Sequence, residues 1–319
     1  MNEYTFNFSP ENHDSEIIAK VISGKDKGKN IYLNESSKSD IESDKVELLY
    51  EYLMKTKVRL TQRSLDKLAE SVLHNEEPED EKLAKIYKEF IKYQKTTNEI
   101  MLRDSELEFV PYQGNEDNVQ RQGIFLAAAA GSGKTYWIAN YCRMFNKLYP
   151  RSPIYLFSAK PITDEKEFKT VKRIKQVELT DESLDEIIEN GSYTEFISKS
   201  GQSLCVFDDY DALSKSVMAK LETVLNSIIQ VGRSKRIFYI VSKHTLNEGK
   251  KTKLLWSESS DIILFPNGLS RYSLVYSMKV YLGFDQVMID KVLNHKSRFV
   301  AIHTRVPRYF ITQNSIGFL

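Results

Sequence analysis

Residues 123–135 read Gly-Ile-Phe-Leu-Ala-Ala-Ala-Ala-Gly-Ser-Gly-Lys-Thr, and the order of these residues decides the fold. A short apolar run leads into a loop of small residues, which closes with Gly-Lys-Thr at the mouth of a helix. Small residues let successive backbone N–H groups turn inward around an anion, and the positive end of the following helix adds to that field. The stretch therefore predicts a nucleotide-phosphate cradle. Gly131, Ser132 and Gly133 would form the loop, Lys134 would reach the β- and γ-phosphates, and the Thr135 hydroxyl would ligate Mg²⁺. The usual pattern opens with Gly where this chain has Ala128. That change is tolerable if Ala128 keeps a negative φ, because the tight approach falls on Gly131 and Gly133. The plain alternative is a Gly-containing turn between a strand and a helix.

Outward from the loop, the pattern alternates. A helix runs to about Leu148 and stops before Pro150, and Pro153-Ile-Tyr-Leu-Phe157 is the next strand, a spacing that suits a parallel sheet. Ser158-Ala-Lys160-Pro161 sits at its carboxyl end, where open α/β sheets place ligand-contacting residues. Ser203-Leu-Cys-Val-Phe-Asp-Asp-Tyr-Asp211 then delivers two adjacent carboxylates at the tip of a buried strand. After a phosphate loop such a pair reads as a metal-site partner. Asp208 would hold the hydration shell of Mg²⁺ and Asp209 would polarise the attacking water, with Asp211 as a substitute.

An amphipathic helix follows, with Val217, Leu221, Val224, Leu225 and Ile228 on one face and Gly232 at its end. Arg233, Lys235 and Arg236 come directly before the strand Ile237–Val241. Basic residues there can simply answer the helix dipole. The functional alternative is an arginine finger presented to the γ-phosphate of a neighbouring subunit, and Arg233 is the better placed of the two arginines. Ser242-Lys243-His244 ends that strand beside the phosphate site, where His244 or Ser242 would sense the γ-phosphate. Asn247–Lys253 reads as a basic loop, and Arg298 and Arg308 as exposed candidates for DNA or nucleotide contact.

Upstream, residues 1–40 form a small β-rich segment with a Lys25, Lys27, Lys29 turn, and 41–112 a helical region with three apolar stripes. Residues 113–121 are a polar linker, and 122–319 the P-loop domain. With 319 residues, 41% hydrophobic and 28% charged, the composition is that of a globular protein. Net charge is +1, so no global basic field steers nucleic acid, and any contact would come from a local patch or a pore built from several copies. Cys142 and Cys205 lie in an expected helix and strand, outside metal-ligand spacing, as in a reducing compartment. The longest apolar run is too short to cross a bilayer, and the N-terminus does not read as a signal peptide.

Taken together, residues 120–319 resemble the viral DNA-packaging ATPases of the poxvirus type, a branch of the FtsK–HerA motor superfamily. The likeness rests on Ala-Gly-Ser-Gly-Lys-Thr, Val-Phe-Asp-Asp-Tyr-Asp, Val-Gly-Arg-Ser ahead of an apolar strand, Leu-Phe-Pro-Asn-Gly, and Ser-Arg-Phe-Val-Ala-Ile-His-Thr-Arg-Val-Pro-Arg-Tyr. The chain differs in having Asp209 where the superfamily usually has Glu, and Ser-Lys-His where it usually has a polar Gln. The resemblance implies an ATP- and Mg²⁺-dependent homo-oligomeric ring that threads double-stranded DNA and docks on capsid proteins. It also implies the cytoplasm or viral factory of a host cell. Lys250-Lys251-Lys253 and Lys166–Lys175 are then candidate pore-facing segments. A P-loop phosphotransferase and a nucleotide-gated scaffold stand as alternatives, and DNA-stimulated hydrolysis separates them from a motor.

Overall fold

The computed structural model describes residues 3–11, 15–36, 38–97, 99–102, 104–113 and 121–319. Strands β1 (Glu3–Asn7), β2 (Glu16–Val21) and β3 (Asn30–Ser36) pair antiparallel in the order β1-β3-β2, with Lys25, Lys27 and Lys29 in the turn between the last two. Helices α1 (Lys38–Thr56), α2 (Gln62–His74) and α3 (Glu81–Thr97) follow. Their stripes meet in a core of their own, built on Leu49, Leu53, Leu68, Val72, Leu83 and Phe90. The Thr61 hydroxyl caps the start of α2 and Asn75, in the left-handed region, ends it.

The helical expectation for 41–112 stops at Thr97, because two short strands follow, β4 (Glu99–Met101) and β5 (Leu107–Phe109). Three residues carry no periodicity, and pairing alone makes them strands. β5 completes the N-terminal sheet beside β2, whereas β4 pairs with the last strand of the chain. Of the expected linker 113–121, residues 114–120 lie outside the described residues.

The second half begins with β6 (Gly123–Ala127), α4 (Lys134–Leu148), β7 (Ile154–Ser158), β8 (Ile174–Gln176) and α5 (Asp181–Glu189). It continues with β9 (Ser203–Asp208), α6 (Lys215–Val231), β10 (Ile237–Lys243), α7 (Lys250–Glu258) and β11 (Asp261–Leu264). The expected basic loop Asn247–Lys253 is therefore helical from Lys250 onward. α8 (Arg271–Leu282), α9 (Gln286–Leu293), β12 (Val300–His303), β13 (Tyr309–Thr312) and β14 (Ser315–Phe318) close the fold.

Among the described residues, ten strands make one sheet, ordered β4-β14-β13-β12-β11-β6-β10-β9-β7-β8. The six strands from β11 to β8 run parallel, and the wing from β4 to β12 is antiparallel. The central strands β6, β9 and β10 are buried at every position, with apolar interiors and polar residues only toward their ends, because helices or the second sheet cover both faces. Alternate residues serve opposite cores. Phe125, Cys205, Phe207, Tyr239 and Val241 point toward α5, α6, α7 and α8. Ile124, Leu126, Leu204, Val206 and Ile240 point toward α4. Ile18, Val21, Ile31, Leu107 and Phe109 of the N-terminal sheet enter that same second core. This is an α/β protein with a mixed, mainly parallel central sheet flanked by helices.

Candidate nucleotide site

The loop expected to cradle phosphate joins the carboxyl end of β6 to α4. Gly131 and Gly133 adopt φ of 74° and 95°, a region that side-chain-bearing residues avoid. A Cβ on Gly131 would meet nothing within 4 Å, so conformation rather than space demands glycine there. Ala128 avoids positive φ, as its side chain requires. Ser132 turns its hydroxyl back to the Ala129 carbonyl at 2.7 Å, which closes the loop on itself. Neighbouring strand tips brace it: the Ala128 amide donates to Lys243 O, and the Phe265 amide to Ala127 O, each at 3.1 Å. Gly268, from Leu-Phe-Pro-Asn-Gly, lies so close that a Cβ there would come within 2.7 Å of the Ala129 Cβ.

Lys134 opens α4 with its side chain buried and reaches across to the tip of β9. Its Nζ stands 3.2 Å from Asp208 Oδ1 and donates to Asp209 Oδ1. Asp208 ends β9, is buried, and accepts from the Ser242 hydroxyl at the end of β10. Asp209 sits just beyond in the left-handed region, with φ 48° and ψ 39°, which turns its carboxylate back over the loop. Three cationic or ionisable groups converge on it: Lys134, Lys160 Nζ at 2.5 Å and His244 Nε2 at 3.2 Å. Burial by itself would raise the Asp209 carboxyl, but the hydrogen bonds from Lys134 and Lys160 outweigh it and hold it at about 2. The same bond raises the Lys160 ammonium above its ordinary value.

The structure thus brings Lys134, Asp208, Asp209, Ser242 and His244 together around the loop of Gly131, Ser132 and Gly133, with Thr135 on the first turn of α4. Asp211 is drawn away to Lys243, whose ammonium lies 4.1 Å from the centre of the buried Tyr210 ring. Arg233 is not part of this cluster. It is exposed in the turn Gly232–Lys235 at the amino end of β10, whereas the loop lies at the carboxyl end of the adjacent, parallel β6. A strand of this length separates the two by about 20 Å. Gly232 packs against Arg121, whose guanidinium binds the Ile228, Ile229 and Ile237 carbonyls and so answers the end of α6.

Lys160 is the member that motif spacing does not assign. Its one sequence signal is a position at the tip of β7, next to β9 in the sheet. Arg298 also arrives here, since a Cβ on Gly133 would lie 3.7 Å from its guanidinium. Arg308 instead donates to the Leu282 carbonyl at 3.1 Å. Asp208 and Thr135 offer hard oxygen ligands, and no cluster of three His, Cys, Asp or Glu side chains occurs among the described residues. So few protein oxygens suit Mg²⁺, which keeps several waters and takes phosphate oxygens as further ligands. No helix among the described residues is long and apolar enough to cross a membrane.

No protein-family model matches the chain. Among curated proteins, it is 27% identical to an uncharacterized protein V3 of Sputnik virophage over 223 residues, 69% of this chain and 84% of that one. Among solved structures, it is similar to B204, the DNA-packaging ATPase from Sulfolobus turreted icosahedral virus. That match has 15% identity and a TM-score of 0.45, covering 60% of this chain and 97% of that one. The pCW3 conjugation coupling protein TcpA matches with 13% identity and a TM-score of 0.42, covering 93% and 77%. At these scores neither structure assigns a role to a residue of this chain.

Proposed function

We propose that the chain is an ATP-hydrolysing P-loop motor that moves double-stranded DNA, packaging a viral genome as the poxvirus-type branch of the FtsK–HerA superfamily does. The observation that carries the enzymatic part is the convergence of Lys134, Asp208, Asp209 and His244 on a loop whose glycines already hold positive φ. In this role Gly131, Ser132 and Gly133 present backbone N–H groups to the phosphates, and Lys134 turns from Asp209 to the β- and γ-phosphates. Thr135 and Asp208 hold Mg²⁺, which supplies charge neutralisation at the β- and γ-oxygens. Once its lysine partners turn to phosphate, Asp209 orients the attacking water and accepts its proton. Ser242 fixes Asp208, and His244 answers the terminal phosphate from the tip of β10.

Arg233 is too far from its own loop to assist in cis, which supports a role in trans within a homo-oligomeric ring. DNA binding then comes from many weak phosphate contacts repeated around a pore rather than from net charge. Of the candidate pore lysines, the side chains of Lys250 and Lys251 lie outside the described residues. The residues before the linker form an accessory region, and a capsid-docking partner and a host-cell setting belong to the same proposal. A nucleotide-gated scaffold is the second reading, favoured by the clamp on Asp209, which in the absence of phosphate leaves that carboxylate a poor base.

ATP hydrolysis by the purified protein, with and without double-stranded DNA and beside Lys134→Ala, tests the proposal. A several-fold stimulation by DNA, lost with Lys134, is expected. Hydrolysis indifferent to DNA would remove the motor, and tight binding without turnover would leave the scaffold.

A further inference from the structure

A cavity of about 280 Å³ opens beside the phosphate loop, on the side away from the carboxylates. The strand order across the loop is β12-β11-β6-β10-β9. Lys134, Asp208, Asp209 and His244 gather over β10 and β9, so a triphosphate held by Lys134 has its terminal phosphate on that side. The rest of the nucleotide must leave the loop in the opposite direction, over the tips of β11 and β12. The cavity lies there. Gly133 and Tyr136 form its near edge, Phe265 stands just beyond β11, and Arg298 and Phe299 just before β12.

Its lining suits a flat heteroaromatic ring attached to a charged chain. Phe299 lies 6.3 Å from Phe265 and 6.2 Å from Trp137, ring centre to ring centre, and these rings give an apolar bed. Arg298 stands where the cavity meets the loop, beside Gly133. Gln313 is oriented by the Arg298 amide, which donates to its Oε1 at 2.7 Å and leaves its NH₂ group to read a base edge.

The far wall does not come from the P-loop domain. Ile22 follows β2, and Glu106 and Glu108 flank Leu107 on and beside β5, so the N-terminal sheet closes the cavity. That wall is fixed to α4. Phe109 of β5 lies 5.9 Å from Trp137 and 6.4 Å from Tyr141 between ring centres, and the Ile22 amide donates to Glu106 O at 2.8 Å. We propose that this cavity receives the base and ribose of the nucleotide whose phosphates occupy the loop, with the N-terminal sheet as one of its walls. The inference rests on the nucleotide reading of the loop and gives the residues ahead of the linker a part in it: they contact the nucleoside.

Calorimetric titration of the full chain with Mg-ATP and with inorganic tripolyphosphate tests this. Ile22 is 38% exposed, so Ile22→Trp can fill the cavity from its rim without disturbing the loop. ATP should bind the native protein about tenfold or more tighter than tripolyphosphate. Ile22→Trp should remove most of that advantage while tripolyphosphate binds as before, and Ile22→Leu should behave as the native chain. Unchanged tripolyphosphate binding also reports that the variant is folded. Equal effects of Ile22→Trp on both ligands, or none on either, would overturn the nucleoside site while leaving the phosphate site standing. Failure of the native protein to bind either ligand would overturn the nucleotide reading itself.

Discussion

Asp209 is the residue on which the site turns. Its carboxylate pairs with Lys134 and Lys160, the cations that a triphosphate would take in the proposed role, so carboxylate and phosphate would compete for them. Asp209→Asn should therefore tighten ATP binding several-fold while cutting turnover by about 10² or more, read by titration and by steady-state hydrolysis. Lys160→Met should do the opposite to affinity, weakening ATP about tenfold and ADP far less, since only the longer ligand reaches the tip of β7. At this scale the sequence was most informative where one residue type alone satisfies the backbone. Gly131 and Gly133 are legible because positive φ selects glycine. Lys134, Asp208 and Asp209 are legible because loop and strand tip fix them in order. Lys160 was marked only by its place at the carboxyl end of a strand and not by a role, because a lysine after a strand looks the same whether it faces solvent or a carboxylate on the neighbouring strand.

Among the elements, the segment after β11 has a task that its sequence does not announce. Gly268 leaves space for Ala129, and Gly268→Ala would drive a methyl into the phosphate loop. We expect a roughly tenfold loss of ATP affinity in a direct binding assay, with little change in unfolding midpoint because the segment lies at the surface of the core. The bundle α1–α3 makes the opposite case. Its core is separate from both faces of the large sheet, so Leu68→Ala should cost about 2–5 kcal/mol in denaturant unfolding and leave ATP binding unchanged. Long elements with strong periodicity, such as α6 with its Leu221, Val224 and Ile228 stripe, were legible as helices. β4 and β5 were not. Glu-Ile-Met and Leu-Glu-Phe are too short to carry a pattern, and their partners lie in distant parts of the chain.

For the whole molecule, the seam between the N-terminal sheet and the amino edge of the large sheet is sensitive to pH through Glu16. Burial raises its carboxyl, the neighbouring Asp261 raises it further, and His303 partly opposes them, leaving it at about 7. A carboxyl raised on folding binds its proton more tightly in the native state, so the native state loses stability as pH climbs from about 4.5 to 7, with no further loss above. Glu16→Gln should flatten that slope and, at pH 8, stabilise the protein by up to about 3 kcal/mol, measured by urea unfolding at pH 5, 6 and 8. No sequence pattern marks this seam, because Glu16 opens an ordinary amphipathic strand and its neighbours come from β11 and β12. The placement of β4 and β5 has a consequence for synthesis. The Leu102 amide donates to Asn314 O and the Leu107 amide to Gln313 O, so the first half of the chain emerges from the ribosome long before its partners exist. Until Gln313 and Asn314 have been translated, β4 and β5 lack these bonds, and the nascent chain must keep two short edges from pairing with strangers.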